Sequence, residues 1–140
     1  MVTIDQDDYL KDFVEEAVKS SPHHYKIKIL IGKALGLLQQ MVDNGEKFDV
    51  IFLDADKGEY IEYFKLAFEQ NLLSSRGTVL VDNAYMLGEG YMKSFGETNS
   101  KIFARAVASN PDLHSVLVPI RDGILMIRRL SDVEGDVRKA

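Results

Sequence analysis

The chain has 140 residues, of which 46% are apolar and 28% charged, and its formal net charge is −5. By length this is one globular domain with enough chain to bury a core. The acidic balance and the lack of a Lys/Arg-rich stretch argue against a nucleic-acid partner, the absence of cysteine excludes thiol chemistry and disulfides, and the apolar runs are too short to span a membrane.

Val2-Thr3-Ile4 reads as a short strand, and the acidic run from Asp5 to Asp8 supplies a helix start. Tyr9, Leu10, Phe13, Val14, Ala17 and Val18 recur at helical spacing up to the break at Ser20-Ser21-Pro22. Lys26 to Ile31 is a strand closed by Gly32. Leu35 to Val42 is a helix ended by Asn44-Gly45, and Val50 to Leu53 is a buried strand. Tyr60 to Gln70 is a helix with Tyr60, Tyr63, Phe64 and Ala67 on one side. Ser74 to Gly77 is a turn and Thr78 to Val81 a strand. A loop rich in glycine, methionine and aromatics runs from Ala84 to Gly96. Thr98 to Ser109 is a helix with Ile102, Phe103, Ala106 and Val107 inward. Leu113 to Ile120 and Ile124 to Ile127 form a hairpin about Arg121-Asp122-Gly123, and residues 131–140 form a flexible tail. Strands alternating with helices predict a mostly parallel α/β sheet with a C-terminal antiparallel hairpin, in one domain over 1–130.

Two strand ends carry the chemistry. Phe52-Leu53-Asp54-Ala55-Asp56-Lys57 and Val79-Leu80-Val81-Asp82-Asn83 both pass from apolar residues to hard oxygen donors. As parallel strands they place Asp54, Asp82 and Asn83 at one carboxyl edge, where open α/β sheets bind ligands. Carboxylate and amide oxygens suit Mg²⁺ or a similar divalent cation, while helix caps or loop acids account for the same residues equally simply. Lys57 is either a surface lysine or, beside a cation that favours its neutral form, a base for a bound hydroxyl. The loop 84–96 either covers a flat substrate or is an ordinary surface loop. Gly88-x-Gly90 is not a dinucleotide fingerprint, and His23, His24 and His114 have no catalytic pattern.

Phe48 to Lys57, Val81-Asp82-Asn83 and Leu117-Val118-Pro119-Ile120-Arg121-Asp122-Gly123-Ile124 together resemble the cation-dependent O-methyltransferases of the caffeoyl-CoA and catechol type. The resemblance runs from about Val2 to Leu130. It implies a Rossmann-like class I methyltransferase sheet that uses S-adenosylmethionine (SAM), with Mg²⁺ on Asp54, Asp82 and Asn83 and Lys57 as the general base. It implies a small aromatic hydroxyl compound, catechol-like or phenylpropanoid, as methyl acceptor. Thr3, Asp5, Gly32, Ala34, Asp54 and Asp56 match cofactor-binding positions, with Lys33 in the same loop as Gly32.

The departures are specific. The family's first strand and its glycine-rich turn, which approaches the SAM methionine, have no counterpart here, so the sheet is expected to be incomplete. Thr3 stands where the family has the acid that grips the SAM ribose, with Asp5 two residues on. The absent strand belongs between the strand at Val2-Ile4 and the strand at Val50-Leu53, which leaves strand edges open and predicts a homo-oligomer. Activity would then need another chain or segment to supply the glycine turn. The alternative is a non-catalytic module of the same fold that binds a cation or a protein partner. Met1 leading straight into Val2-Thr3-Ile4 shows no signal peptide, so a cytoplasmic location is expected.

Overall fold

Val2–Asp5 and Lys28–Ile31 form two parallel strands, β1 and β2, paired from Val2↔Lys28 to Asp5↔Ile31. Helix α1 (Lys11–Lys19) connects them, and helix α2 (Ala34–Asp43) follows β2. The computed structural model describes residues 1–9, 11–84 and 96–137, with side chains to residue 133. The expected substrate loop falls on 85–95 and so lies outside the described residues.

Contacts divide the chain at Asn44–Gly45, the turn that the sequence marks as the end of α2. The first unit, Met1–Asn44, has little core: Met41 on α2 is its buried apolar residue among those described. The amphipathic pattern of α1 is present, yet none of the helix's residues is buried, and Phe13 is 72% exposed. Periodicity selects a face but does not supply a neighbour to cover it.

In the second unit, strand β3 (Phe48–Leu53) leads through a single 3₁₀ turn (Lys57–Glu59) into helix α3 (Tyr60–Phe64), which widens to a π turn over Lys65–Glu69. Strand β4 (Leu73–Val81) follows, then helix α4 (Asn99–Ser109), strands β5 (Leu113–Val118) and β6 (Ile124–Arg129), and helix α5 (Leu130–Val137). The sheet order is β3-β4-β6-β5, with β3 and β4 parallel and β6 antiparallel to both its neighbours. The parallel strands and the terminal antiparallel hairpin match the sequence reading. The sheet is incomplete, as expected: β1 and β2 form a two-stranded sheet of their own. Among the described residues β1 and β3, the strands expected to flank an absent one, each have one unpaired edge.

Three details differ from expectation. Ser74 to Gly77, read as a turn, lies within β4, where pairing jumps from Phe48↔Leu73 to Val50↔Thr78. The extra residues bulge out, and Arg76 takes a left-handed φ of 66°. Residues 130–137, read mostly as flexible tail, form α5, whose Asp132 carboxylate accepts the Arg76 N–H at 3.0 Å. The third concerns β3, read as buried throughout. Leu53, Val81 and Leu125, and likewise Val79 and Ile127, share one face and are buried beneath α3 and α4. The row Phe52↔Leu80↔Met126↔Val116 occupies the other face, with Phe52 57% and Val116 47% exposed. Both helices lie on the same side, as the Tyr60–Phe103 and Phe64–Phe103 ring contacts require. Ile102, expected inward on α4, is accordingly outside at 42%, while Phe103 and Val107 are buried.

Candidate functional site

The β3–β4 ladder continues one step beyond the last strand pair, Leu53↔Val81: the Asp82 N–H donates to the Leu53 carbonyl at 2.9 Å. Asp54 and Asp82 therefore leave adjacent parallel strands side by side, at the carboxyl edge. The Asp82 carboxylate turns on its own chain and accepts the Asn83 N–H at 2.7 Å. Asn83 has a φ of 51°, a left-handed conformation that asparagine tolerates better than most residues. The next residue is anchored too, since the Ala84 N–H donates to the Gly123 carbonyl at 3.0 Å. The Asp82-Asn83 segment is thus tied to the Arg121-Asp122-Gly123 turn.

After Asp54 the chain folds tightly. Asp56 caps the 3₁₀ turn, its carboxylate accepting the Gly58 N–H at 2.8 Å. The turn sets Lys57 and Tyr60 on one side, and the Lys57 ammonium stands 5.3 Å from the Tyr60 ring centroid. Tyr60 is 2% exposed and meets Phe103 edge-on at 5.5 Å. Its hydroxyl accepts the Ala55 N–H at 3.4 Å. Burial holds the Tyr60 hydroxyl's pKa above the ordinary tyrosine value. The Ala55 N–H opposes this, and the carboxylates of Asp54, Asp82 and Asp56 reinforce it. Three carboxylates thus act on one buried hydroxyl, which puts Asp54 and Asp82 in a single electrostatic neighbourhood.

By residue type, the two strand ends offer hard oxygen donors. Two carboxylates on neighbouring strand ends plus the Asn83 amide are few protein oxygens, as Mg²⁺ commonly takes, with the remaining positions left for water or substrate. Among the described residues no group of three or more His, Cys, Asp or Glu side chains gathers.

The other predicted cofactor positions lie in the first unit. Asp5 ends β1 and Gly32 follows β2, and the Gly32 N–H donates to the Asp5 carbonyl at 2.8 Å. The φ of 148° at Gly32 is one that side chains rarely adopt, and Lys33 and Ala34 then open α2. The Asp5 carboxylate accepts the Asp7 N–H at 3.0 Å. Thr3 is exposed, two residues back on β1 opposite Ile29. The structure therefore groups Asp5, Gly32 and Ala34 in one unit and Asp54, Asp56, Lys57, Asp82 and Asn83 in the other. Sequence reasoning took Tyr60 only as a core residue; its spacing of three from Lys57, across a turn capped by Asp56, was the available signal.

Two hollows flank the second unit. One of about 290 Å³, lined by Ala84, Ser100, Lys101, Ala104 and Arg105, adjoins the Asp82-Asn83 segment. Another of about 480 Å³, walled by Phe64, Phe68, Arg129 and Leu130, is at the opposite sheet edge, away from the acidic strand ends.

Comparison with known proteins identifies the family and the fold. Residues 1–130 match the family model described as O-methyltransferase. O-methyltransferase ankF of Aspergillus thermomutatus is 30% identical over 118 residues, covering 74% of this chain and 48% of that protein. Caffeoyl-CoA O-methyltransferase 1 of Eucalyptus globulus is also 30% identical over 118 residues, covering 76% and 47% respectively. The chain thus spans about half the length of these curated relatives. Among solved structures, the SAH-bound Podospora anserina methyltransferase PaMTH1 superposes with a TM-score of 0.76 at 25% identity, over 91% of this chain and 59% of that one. The O-methyltransferase from Bacillus cereus in complex with SAH gives a TM-score of 0.78 at 24% identity, over 90% and 60%, and shares the fold. The chain belongs to the O-methyltransferase family.

Proposed function

We propose that this chain carries the metal-and-base half of a Mg²⁺-dependent O-methyltransferase site, which moves the SAM methyl group to a hydroxyl of a catechol-like or phenylpropanoid acceptor. The observation that carries this reading is the pairing of Asp54 and Asp82 on the ends of β3 and β4, with Asn83 next in chain and Lys57 one turn beyond. Asp54, Asp82 and Asn83 would hold the cation, which when bound would position the acceptor hydroxyl and stabilise its charge. Lys57 would take the hydroxyl proton onto Nζ. The oxygen then forms a bond to the methyl carbon as the carbon–sulfur bond breaks. SAM, when bound, would supply the methyl group on a sulfonium sulfur, and its transfer would release S-adenosylhomocysteine. The site works mainly by holding the two reactants in line.

Within the first unit, Thr3, Asp5, Gly32 and Ala34 are proposed as SAM-binding positions; within the second, Asp54 and Asp56 are proposed as such on their own account. Support comes from the grouping of Asp5 with Gly32 at the β1–β2 carboxyl edge and from the SAH bound in similar structures. Thr3 offers no carboxylate for the ribose, so Asp5 would supply it. The unpaired edge of β3 and the exposed Phe52–Met126 row support a homo-oligomer as the working form. Net charge and cysteine-free composition favour a cytoplasmic enzyme without nucleic-acid partners. The described helices include none long and apolar enough to cross a membrane.

Calorimetric titration of SAM in the presence of Mg²⁺ tests the enzyme reading. Binding at micromolar concentration supports it. Absence of binding, with the cation still bound, favours the second reading, a non-catalytic module of the same fold, for which the exposed sheet face is the specific observation.

A further inference from the structure

Lys57 and Ala55, the residue after Asp54, meet the same buried side chain at different atoms. The Lys57 ammonium lies over the Tyr60 ring at 5.3 Å, and the Tyr60 hydroxyl accepts the N–H of Ala55, the residue directly after Asp54. A lysine has a long, flexible stem and in water samples many rotamers. A cationic head over an aromatic face restricts that sampling. Tyr60 itself cannot move far: it is 2% exposed, packed edge-on against Phe103 from α4 and tilted against Tyr63 at 6.4 Å. Its restraint comes from α4, more than forty positions along the sequence, so it is independent of the turn it supports.

We propose that Tyr60 is a positioning residue, whose ring places the Lys57 amine and whose hydroxyl fixes the Asp54-Ala55 strand end. One rigid side chain would thereby set the spacing between proton acceptor and acidic edge. The proposal rests on the assignment of Lys57 as base.

Solution NMR on the full chain reads the placement without turnover. In the wild-type protein the Lys57 ε-methylene protons, assigned by their loss in Lys57→Gln, are expected upfield of free lysine because they sit over a ring. Tyr60→Phe keeps the ring and is expected to leave that shift in place while the Ala55 amide exchanges faster with solvent. Tyr60→Leu is expected to return the Lys57 signals to the free-lysine position. A free-lysine position in the wild-type protein would overturn the proposal without any variant, so a Tyr60→Leu chain that fails to fold does not protect it. Unchanged Lys57 signals in a folded Tyr60→Leu, or an Ala55 amide unaffected in Tyr60→Phe, would overturn it as well. In turnover assays Tyr60→Leu should lower kcat by tenfold or more with the acceptor KM little changed, as about 1 Å of misplacement can cost about a hundredfold. A rise in KM with kcat unchanged would contradict a positioning role. If no variant and no wild-type chain turns over, the proposed activity fails, and the ring-current shift decides the placement by itself.

Discussion

The Asp82 amide and the Leu53 carbonyl are joined by a hydrogen bond of 2.9 Å, one step past the last β3–β4 strand pair. That bond fixes the two acidic strand ends relative to each other before any ligand arrives. Preorganisation of this kind is what a small oxygen site for a hard cation requires, since flexible carboxylates would lose part of the binding energy to ordering.

Asn83 separates backbone from ligand effects. Its φ of 51° is costly for most residues and easy for glycine. Asn83→Gly should leave thermal stability within about 0.5 kcal/mol while weakening divalent cation binding. Asn83→Ala should weaken binding as well and also destabilise by about 1 kcal/mol, the usual penalty of a strained left-handed residue. Differential scanning calorimetry beside metal titration distinguishes the two. Equal stability loss in both variants would show that the conformation is not the cause.

Gly77 sits in the β4 bulge with Leu73 against it. A Cβ built there would come within 2.8 Å of the Leu73 side chain, which is 1% exposed, and 3.0 Å of the Ser74 carbonyl. Gly77→Ala should therefore destabilise by about 1–3 kcal/mol, the range for overpacking. Urea denaturation measures it, and a neutral result would mean that the bulge relaxes.

Much of this was legible beforehand, for identifiable reasons. The inward face of α3 followed from spacing, because Tyr60, Tyr63, Phe64 and Ala67 fall three or four apart and are all buried. The acidic strand ends followed from abrupt changes in residue type at Asp54 and Asp82. What sequence could not show was whether an apolar face finds a cover. Phe13 on α1 and Phe52 on β3 have the pattern of buried residues and are exposed. Glycine and serine mark turns and bulges alike, so Ser74–Gly77 reads as a turn in the sequence and is a bulge in the structure. The role of Tyr60 depends on Phe103, a contact across the fold that local periodicity does not carry.

The exposed row itself makes a prediction. Phe52 and Met126 are linked through Leu80 in one line across three strands. Association through that face should be weakened by Phe52→Lys, and sedimentation velocity should show the wild-type chain larger than the variant at equal concentration. A wild-type chain that is monomeric at high concentration contradicts the homo-oligomer.

Alkaline sensitivity should trace to Tyr63. Burial and the 2.5 Å hydrogen bond that its hydroxyl donates to Glu59 push its pKa well above the ordinary value of 10.0. With the folded pKa raised, its contribution is fully present below about pH 10, where both states hold the proton. Above that the unfolded chain ionises first, so stability falls as pH rises toward the folded pKa. Tyr63→Phe should flatten the fall in urea midpoint between pH 9 and about pH 11, and an identical slope in the variant would assign the effect elsewhere.

Calorimetric titration of Mg²⁺ into the wild-type chain, Asp54→Ala, Asp82→Ala and Asp56→Ala tests the metal-and-base assignment most directly. The account predicts one cation per wild-type chain. It predicts loss of that binding, by at least about a hundredfold, in Asp54→Ala and Asp82→Ala and its retention in Asp56→Ala, whose carboxylate caps the 3₁₀ turn. A wild-type chain that binds no divalent cation, or binding that survives the removal of Asp54 and of Asp82, would contradict it.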